Sequence, residues 1–191
     1  MAFDLLRPGL AYAAAELEPR RAALFCLILL TAGCALASLA LACATPFAAY
    51  AVIAAAMLPL PSALLVVGAA WVVNQAIGFC ALHYPHDANT VFWGLAIGAA
   101  ALAATVAAAL LLRALSSKSQ LAALCVALSA AYAAYELVLF VFTPVLGGSG
   151  AFTPAIVARL GLLNVAWLVG LLAVCQVAIM LDHVRRRRRA A

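Results

Sequence analysis

Four stretches of the sequence, residues 22–44, 90–112, 121–142 and 160–181, are almost wholly apolar, and Glu136 is the one charged residue among them. Each matches the roughly 20 residues that a helix needs to cross the apolar core of a bilayer. Lipid offers the backbone no hydrogen bonds, so a spanning chain must be helical or close into a barrel. No segment alternates over ten residues as barrel strands do, which leaves helices. Composition agrees: 70% of the 191 residues are hydrophobic, 9% are charged and the mean hydropathy is +1.19. A soluble domain is about half apolar and about a quarter charged. A soluble enzyme, a disordered chain and a secreted disulfide scaffold are thereby excluded.

Residues 45–82 are too long for one ordinary span and tight for two. Thr45-Pro46 reads as an N-cap followed by proline in the first helical position. Pro59 and Pro61 interrupt the chain, and Ser62 is suited to cap the next helix. The expected division is a short helix over 46–58 and a full span over 62–82.

The net charge of +5 decides the crossing number by its placement. Arg20 and Arg21 precede the first span, Arg113 and Lys118 follow the fourth, and five arginines at 185–189 follow the last. Basic residues beside apolar spans mark the cytoplasmic side and contact anionic lipid; nucleic acid is not the implied partner. Six crossings put every basic cluster on one side, whereas five strand one of them outside. The expected fold is therefore an all-α, integral-membrane bundle of six transmembrane helices with a short second helix and both termini cytoplasmic. It forms one membrane domain over 1–191: an N-terminal segment 1–21, the bundle 22–181 and a basic tail 182–191. Residues 5–18 are expected to form a short interfacial helix.

Polar side chains inside spans are costly and call for a reason. Asn74 and Gln75, Tyr132, Tyr135 and Glu136, and Asn164 are such residues. In the six-span topology Asn74 lies roughly 12 Å, and Glu136 roughly 9 Å, below the outer ends of their helices. Asn164 shares that half of the membrane, and His83, Tyr84, His86 and Asp87 form a loop above it. The shared depth predicts an outward-facing pocket. The competing reading is interhelical hydrogen bonding, which suits Asn164 best.

Of the six cysteines, none forms a CxxC pair, and buried cysteines usually behave as small apolar packers. Cys43 and Cys80 fall near the outer ends of their helices, and the sequence leaves their pairing open. Cys80 differs in its neighbours, within Asn74-Gln75-Ala76-Ile77-Gly78-Phe79-Cys80-Ala81-Leu82-His83-Tyr84-Pro85-His86-Asp87. Thiolate is a strong donor to soft and borderline transition metals. No closed set of four ligands is present for zinc, so one thiol better suits a metal carried within a cofactor.

The architecture resembles the substrate-binding S components of energy-coupling-factor transporters. The Asn-Gln-x-x-Gly-Phe-Cys stretch followed by Tyr-Pro resembles the BtuM family of solitary, S-component-like cobalamin transporters. That resemblance implies that Cys80 is the ligand to the corrinoid cobalt, in a pocket to which Tyr84 and Asp87 contribute; His83, Asn74 and Glu136, grouped with them by depth, are the further candidate binding residues. It implies cobalamin as bound substrate with its nucleotide base displaced, thiol-assisted removal of cyanide from cyanocobalamin with Cys80 as the reactive group, and a bacterial inner-membrane location. No Walker motif occurs, so the chain does not hydrolyse ATP itself. Gly33-x-x-x-Ala37 and Ala40-x-x-x-Ala44 are candidate small-residue contacts for an energising module, and the residues leave the need for one open. Two other functions compete: a carrier of free transition-metal ions using His83, His86 and Asp87, and an assembly subunit without a ligand.

Overall fold

The computed structural model describes residues 19–41, 44–116 and 119–190, with the side chains of 19 and 183–190 left aside. The expected interfacial helix over 5–18 lies outside them, as do Cys43 and Lys118. All regular structure among the described residues is helical: α1 (Pro19–Leu41), α2 (Phe47–Met57), α3 (Leu60–Cys80), α4 (Ala88–Ala114), α5 (Gln120–Leu146), a short 3-10 turn (Ser149–Phe152) and α6 (Pro154–Ala190). All except α2 are long and apolar enough to cross a membrane. Their outer faces carry large apolar side chains such as Leu65 (75% exposed) and Leu162 (71%). Apolar surface on that scale needs lipid as its solvent. The chain is a multi-pass helical membrane protein.

The short second helix is the centre of the bundle. Its 11 residues rise roughly 16 Å, about half the bilayer core. Every residue from Phe47 to Ala54 is buried, as expected of a helix that is apolar all round. All five other helices pack around it. The stretch Ala44–Pro46 leading into it is not helical, and Thr45 and Pro46 are buried. Irregular backbone at membrane depth persists only where protein shields it. At its far end Leu58 and Pro59 are extended. With these flanks α2 carries the chain back from the end where α1 finishes to the end where α3 begins; Arg20 and Ala23 of α1 border the same groove as Ser62 and Leu65 of α3. The helices thus alternate in direction. The starts of α1 and α3 and the ends of α4 and α6 share one end of the bundle, so Arg20, Arg21, Arg113 and the arginine-rich end of α6 do too.

The most extensive helix pairing is that of α4 with α5. Ala100, Ala101, Ala104 and Ala108 of α4 and Ala123, Ala127 and Ala131 of α5 are buried, and small residues let helices approach closely in lipid. Between α3 and α4 the closeness rests on glycine. Trp71 Nε1 donates to Gly94 O at 2.8 Å, and a Cβ on Gly98 would lie 2.7 Å from the Trp71 ring.

Several helix ends differ from the sequence expectation. Ser62 does not cap α3: the N-cap is Pro59 and the helix takes Pro61 into its first turn, where a missing N–H costs nothing. Thr45 does not cap α2 either, because Pro46 is the N-cap and makes no side-chain bond. α5 runs past Phe142 through Pro144 to Leu146, and ends at Gly147 with φ of 80°. α6 starts at Pro154, six residues before the expected 160, and remains helical through the basic tail to Ala190.

Candidate functional site

At the end of the bundle opposite the arginines, α3 stops at Cys80 and the chain folds back on itself. Ala81 and Leu82 N–H both bond to Ile77 O at 2.9 Å, and Tyr84 N–H bonds to Gly78 O at 3.0 Å. His83 takes a left-handed conformation, φ 53°, to make the reversal. The reversal lays the Tyr84 ring over Gly78, where a Cβ would sit 2.8 Å from the ring. Phe79 packs edge-on to Tyr84, with centroids 6.5 Å apart, and tilts against His86 at 5.4 Å. Phe79, Tyr84 and His86 thus form an aromatic cap over the last turn of α3.

Cys80 is exposed beside this cap. Ala76 and Val72, one and two turns earlier on the same stripe of α3, are exposed too. Asp87 closes the loop as the N-cap of α4. Its Oδ1 accepts Thr90 N–H at 2.8 Å and its Oδ2 accepts the Thr90 hydroxyl at 3.1 Å. The Thr90 amide, foremost, holds the carboxyl below the ordinary aspartate value of 3.8; N–H bonds to the ionised form favour it.

Cys80, His83, Tyr84 and Asp87 therefore belong to one turn and loop at one end of the bundle. Asn74 faces elsewhere: six residues from Cys80 is about 120° around a helix. Its Nδ2 donates to Ser38 Oγ at 2.9 Å and Thr45 Oγ1 at 3.0 Å, and its Oδ1 accepts Gln75 Nε2 at 2.9 Å. This network ties α3 to α1 and to the link before α2. Ser38 escaped the sequence reading and Thr45 was read only as a helix cap, since hydroxyls near the end of an apolar run give no signal of facing inward. Asn164 is likewise bonded: Oδ1 accepts Ala49 N–H at 3.1 Å and Nδ2 donates to Leu160 O at 3.0 Å. Glu136 lies against Tyr132 one turn earlier on α5, and the Tyr132 hydroxyl donates to Val157 O of α6 at 2.6 Å. Asn74 and Asn164 thus bind neighbouring elements directly, while Glu136 lies beside the tyrosine that ties α5 to α6.

Among the described residues no three of His, Cys, Asp or Glu are gathered to hold a metal ion. His83, His86 and Asp87 do not form such a set, and both Asp87 oxygens are taken by Thr90. Two apolar grooves open sideways, one between α1 and α6 past Gly33, Trp167 and Gly170, of about 440 Å³, and one between α1 and α3 past Arg20 and Ser62, of about 400 Å³. Cys80 lines neither.

Fold and site together define a multi-pass helical membrane protein with a buried short helix at its core and a thiol displayed beside an aromatic cap at one end. No family model matches the chain, and no curated protein or solved structure matches it either.

Proposed function

We propose that the chain binds cobalamin at the outer face of a bacterial inner membrane and takes it up, with the Cys80 thiolate as axial ligand to the cobalt. The observation that carries this reading is the exposure of Cys80 at the end of α3, beside a folded loop that brings an imidazole and a phenol over the last turn of the helix. A corrin supplies the equatorial donors of its own metal, so the protein need provide only one. A single accessible soft donor beside flat aromatic surfaces suits that task, and His83, His86 and Asp87 are not gathered into a ligand set, which disfavours carriage of a free ion through this loop. If the Cys80 thiol loses its proton and takes the axial position that cyanide held, one cobalt–sulfur bond replaces one cobalt–carbon bond and cyanide leaves as the anion, with the oxidation state unchanged. The arginine-rich end then faces the cytoplasm, in keeping with the preference of basic residues for that side. Membrane lipid and cobalamin are the implied partners; the small residues of α1 offer a contact for an energising module.

One observation favours an assembly subunit without ligand: Asn74 and Asn164 are bonded between helices, and Glu136 lies against Tyr132, whose hydroxyl bonds to the next helix. Growth distinguishes the two. In a bacterium that depends on external cobalamin and lacks its own inner-membrane route, expression of this chain should restore growth, and Cys80→Ser should abolish the restoration at equal membrane abundance. No restoration by the unaltered chain contradicts uptake.

A further inference from the structure

At the opposite end of α2 three sulfur atoms from three helices meet. Met57, the last residue of α2, receives the Cys26 thiol of α1 at 3.6 Å and the Cys175 thiol of α6 at 3.8 Å, measured to its Sδ. The two cysteines are 0% exposed and Met57 is 6% exposed. The geometry points to a binding site for a soft monovalent metal ion, copper(I), held by Cys26, Met57 and Cys175.

Three physical arguments converge. The first is spacing. With metal–sulfur bonds of about 2.3 Å, as thiolates make to zinc, sulfurs around one ion stand roughly 3.8 to 4.0 Å apart. The observed edges of 3.6 and 3.8 Å need only a small outward movement to admit it.

The second is donor type. Thiolate with thioether selects copper(I) over harder ions, and among the described residues no third carboxylate or imidazole joins the cysteines to favour another metal.

The third is charge. The site lies in an apolar core of Ala22, Leu30, Leu171 and their neighbours, where a net charge is expensive. One thiol that loses its proton forms one copper–sulfur bond; the other thiol and the thioether bind as neutral donors. The oxidation state is unchanged, one proton leaves for each ion bound, and the buried complex is neutral.

Met57 is held in place because α2 ends there and the chain turns extended at Leu58. The site is separate from Cys80, at the other end of the bundle, so this inference and the cobalamin reading stand or fall independently.

The test uses the full chain, reduced and oxygen-free in detergent micelles, titrated with copper(I) against a competing chelator. One ion per chain should be retained, with sulfur-only coordination by X-ray absorption. Cys80→Ser should leave the affinity unchanged. Cys26→Ala with Cys175→Ala should abolish retention. Met57→Leu conserves volume and is tolerated in cores, so it removes the thioether without unfolding the bundle; affinity should fall at least about tenfold, the scale on which metal sites respond even to lost outer-shell partners. Equal retention by the unaltered chain and the double variant overturns the assignment, as does an unchanged affinity in a folded Met57→Leu protein.

Discussion

The side-chain oxygen of Asn164 accepts the backbone N–H of Ala49 at 3.1 Å, so α6 grips the buried start of α2. This bond matters beyond its own strength, because α6 meets the rest of the bundle chiefly through α2. Replacing Asn164 with Leu leaves the amide with only its shared bond to Pro46 O. The cost should be about 1 kcal/mol, in line with interhelical hydrogen bonds in membranes, read as a lower unfolding midpoint in detergent. An unchanged midpoint would mean that the bond adds nothing.

Gly98 should not accept a side chain. A Cβ there meets Trp71 at 2.7 Å, and overpacking of this kind costs about 1–3 kcal/mol. Gly98→Ala should lower stability, and Trp71→Leu in the same chain should recover part of the loss. Strict additivity of the two changes would show that they are not in contact.

Glu136 should matter for its hydrogen bonding rather than its charge. The single Tyr132 hydrogen is given to Val157 O, so a further bond within the Tyr132–Glu136 pair has Glu136 as donor. A protonated carboxyl or a glutamine amide can make it. Glu136→Gln should therefore match the unaltered protein in abundance and cobalamin binding. Glu136→Leu should lower one or both, by leaving a buried group unpaired. Full tolerance of Leu removes any role for the carboxyl.

Asp87 supplies a pH dependence whose sign is fixed. Its carboxyl lies below the ordinary 3.8 in the folded protein. A depressed carboxyl stabilises the fold fully above the unfolded value and stops doing so as pH falls through the folded one. The α4 start should therefore loosen in acid, below about pH 4, seen as faster amide exchange at Thr90. Asp87→Asn, an equally good cap, should remove that pH dependence without loosening the helix at neutral pH. Persistence of the acid effect in Asp87→Asn would assign it elsewhere.

Much of this architecture is legible in the sequence because bilayer thickness is a strict ruler. Four of the five long helices announce themselves by apolar length, and α2 and α3 by the prolines at 46, 59 and 61. The ends were harder to read: Pro61 and Pro144 look like breaks, yet proline fits a first turn and a last turn. Asn74 and Glu136 were visible as polar residues at a shared depth. Depth does not tell which way a side chain points: Asn74 turns toward α1 and the link before α2, and Glu136 lies against Tyr132 on its own helix. Asp87 reads as a loop carboxylate, but the Thr90 three residues on makes it a cap. The meeting of Cys26 with Met57, and of Met57 with Cys175, spans 31 and 118 residues. Spacing along the chain carries no trace of it; only the packing of α1 and α6 on either side of α2 creates it.

The most direct test is the visible spectrum of cobalamin bound to the purified protein. Cobalt–thiolate coordination should shift the absorption bands from those of free cobalamin, and added cyanocobalamin should lose its cyanide signature. Cys80→Ser replaces a soft donor with a poor one, so both changes should vanish, while Cys34→Ser and Cys125→Ser keep them. A Cys80→Ser protein whose bound cobalamin has the spectrum of the unaltered complex would contradict the assignment of Cys80 to cobalt.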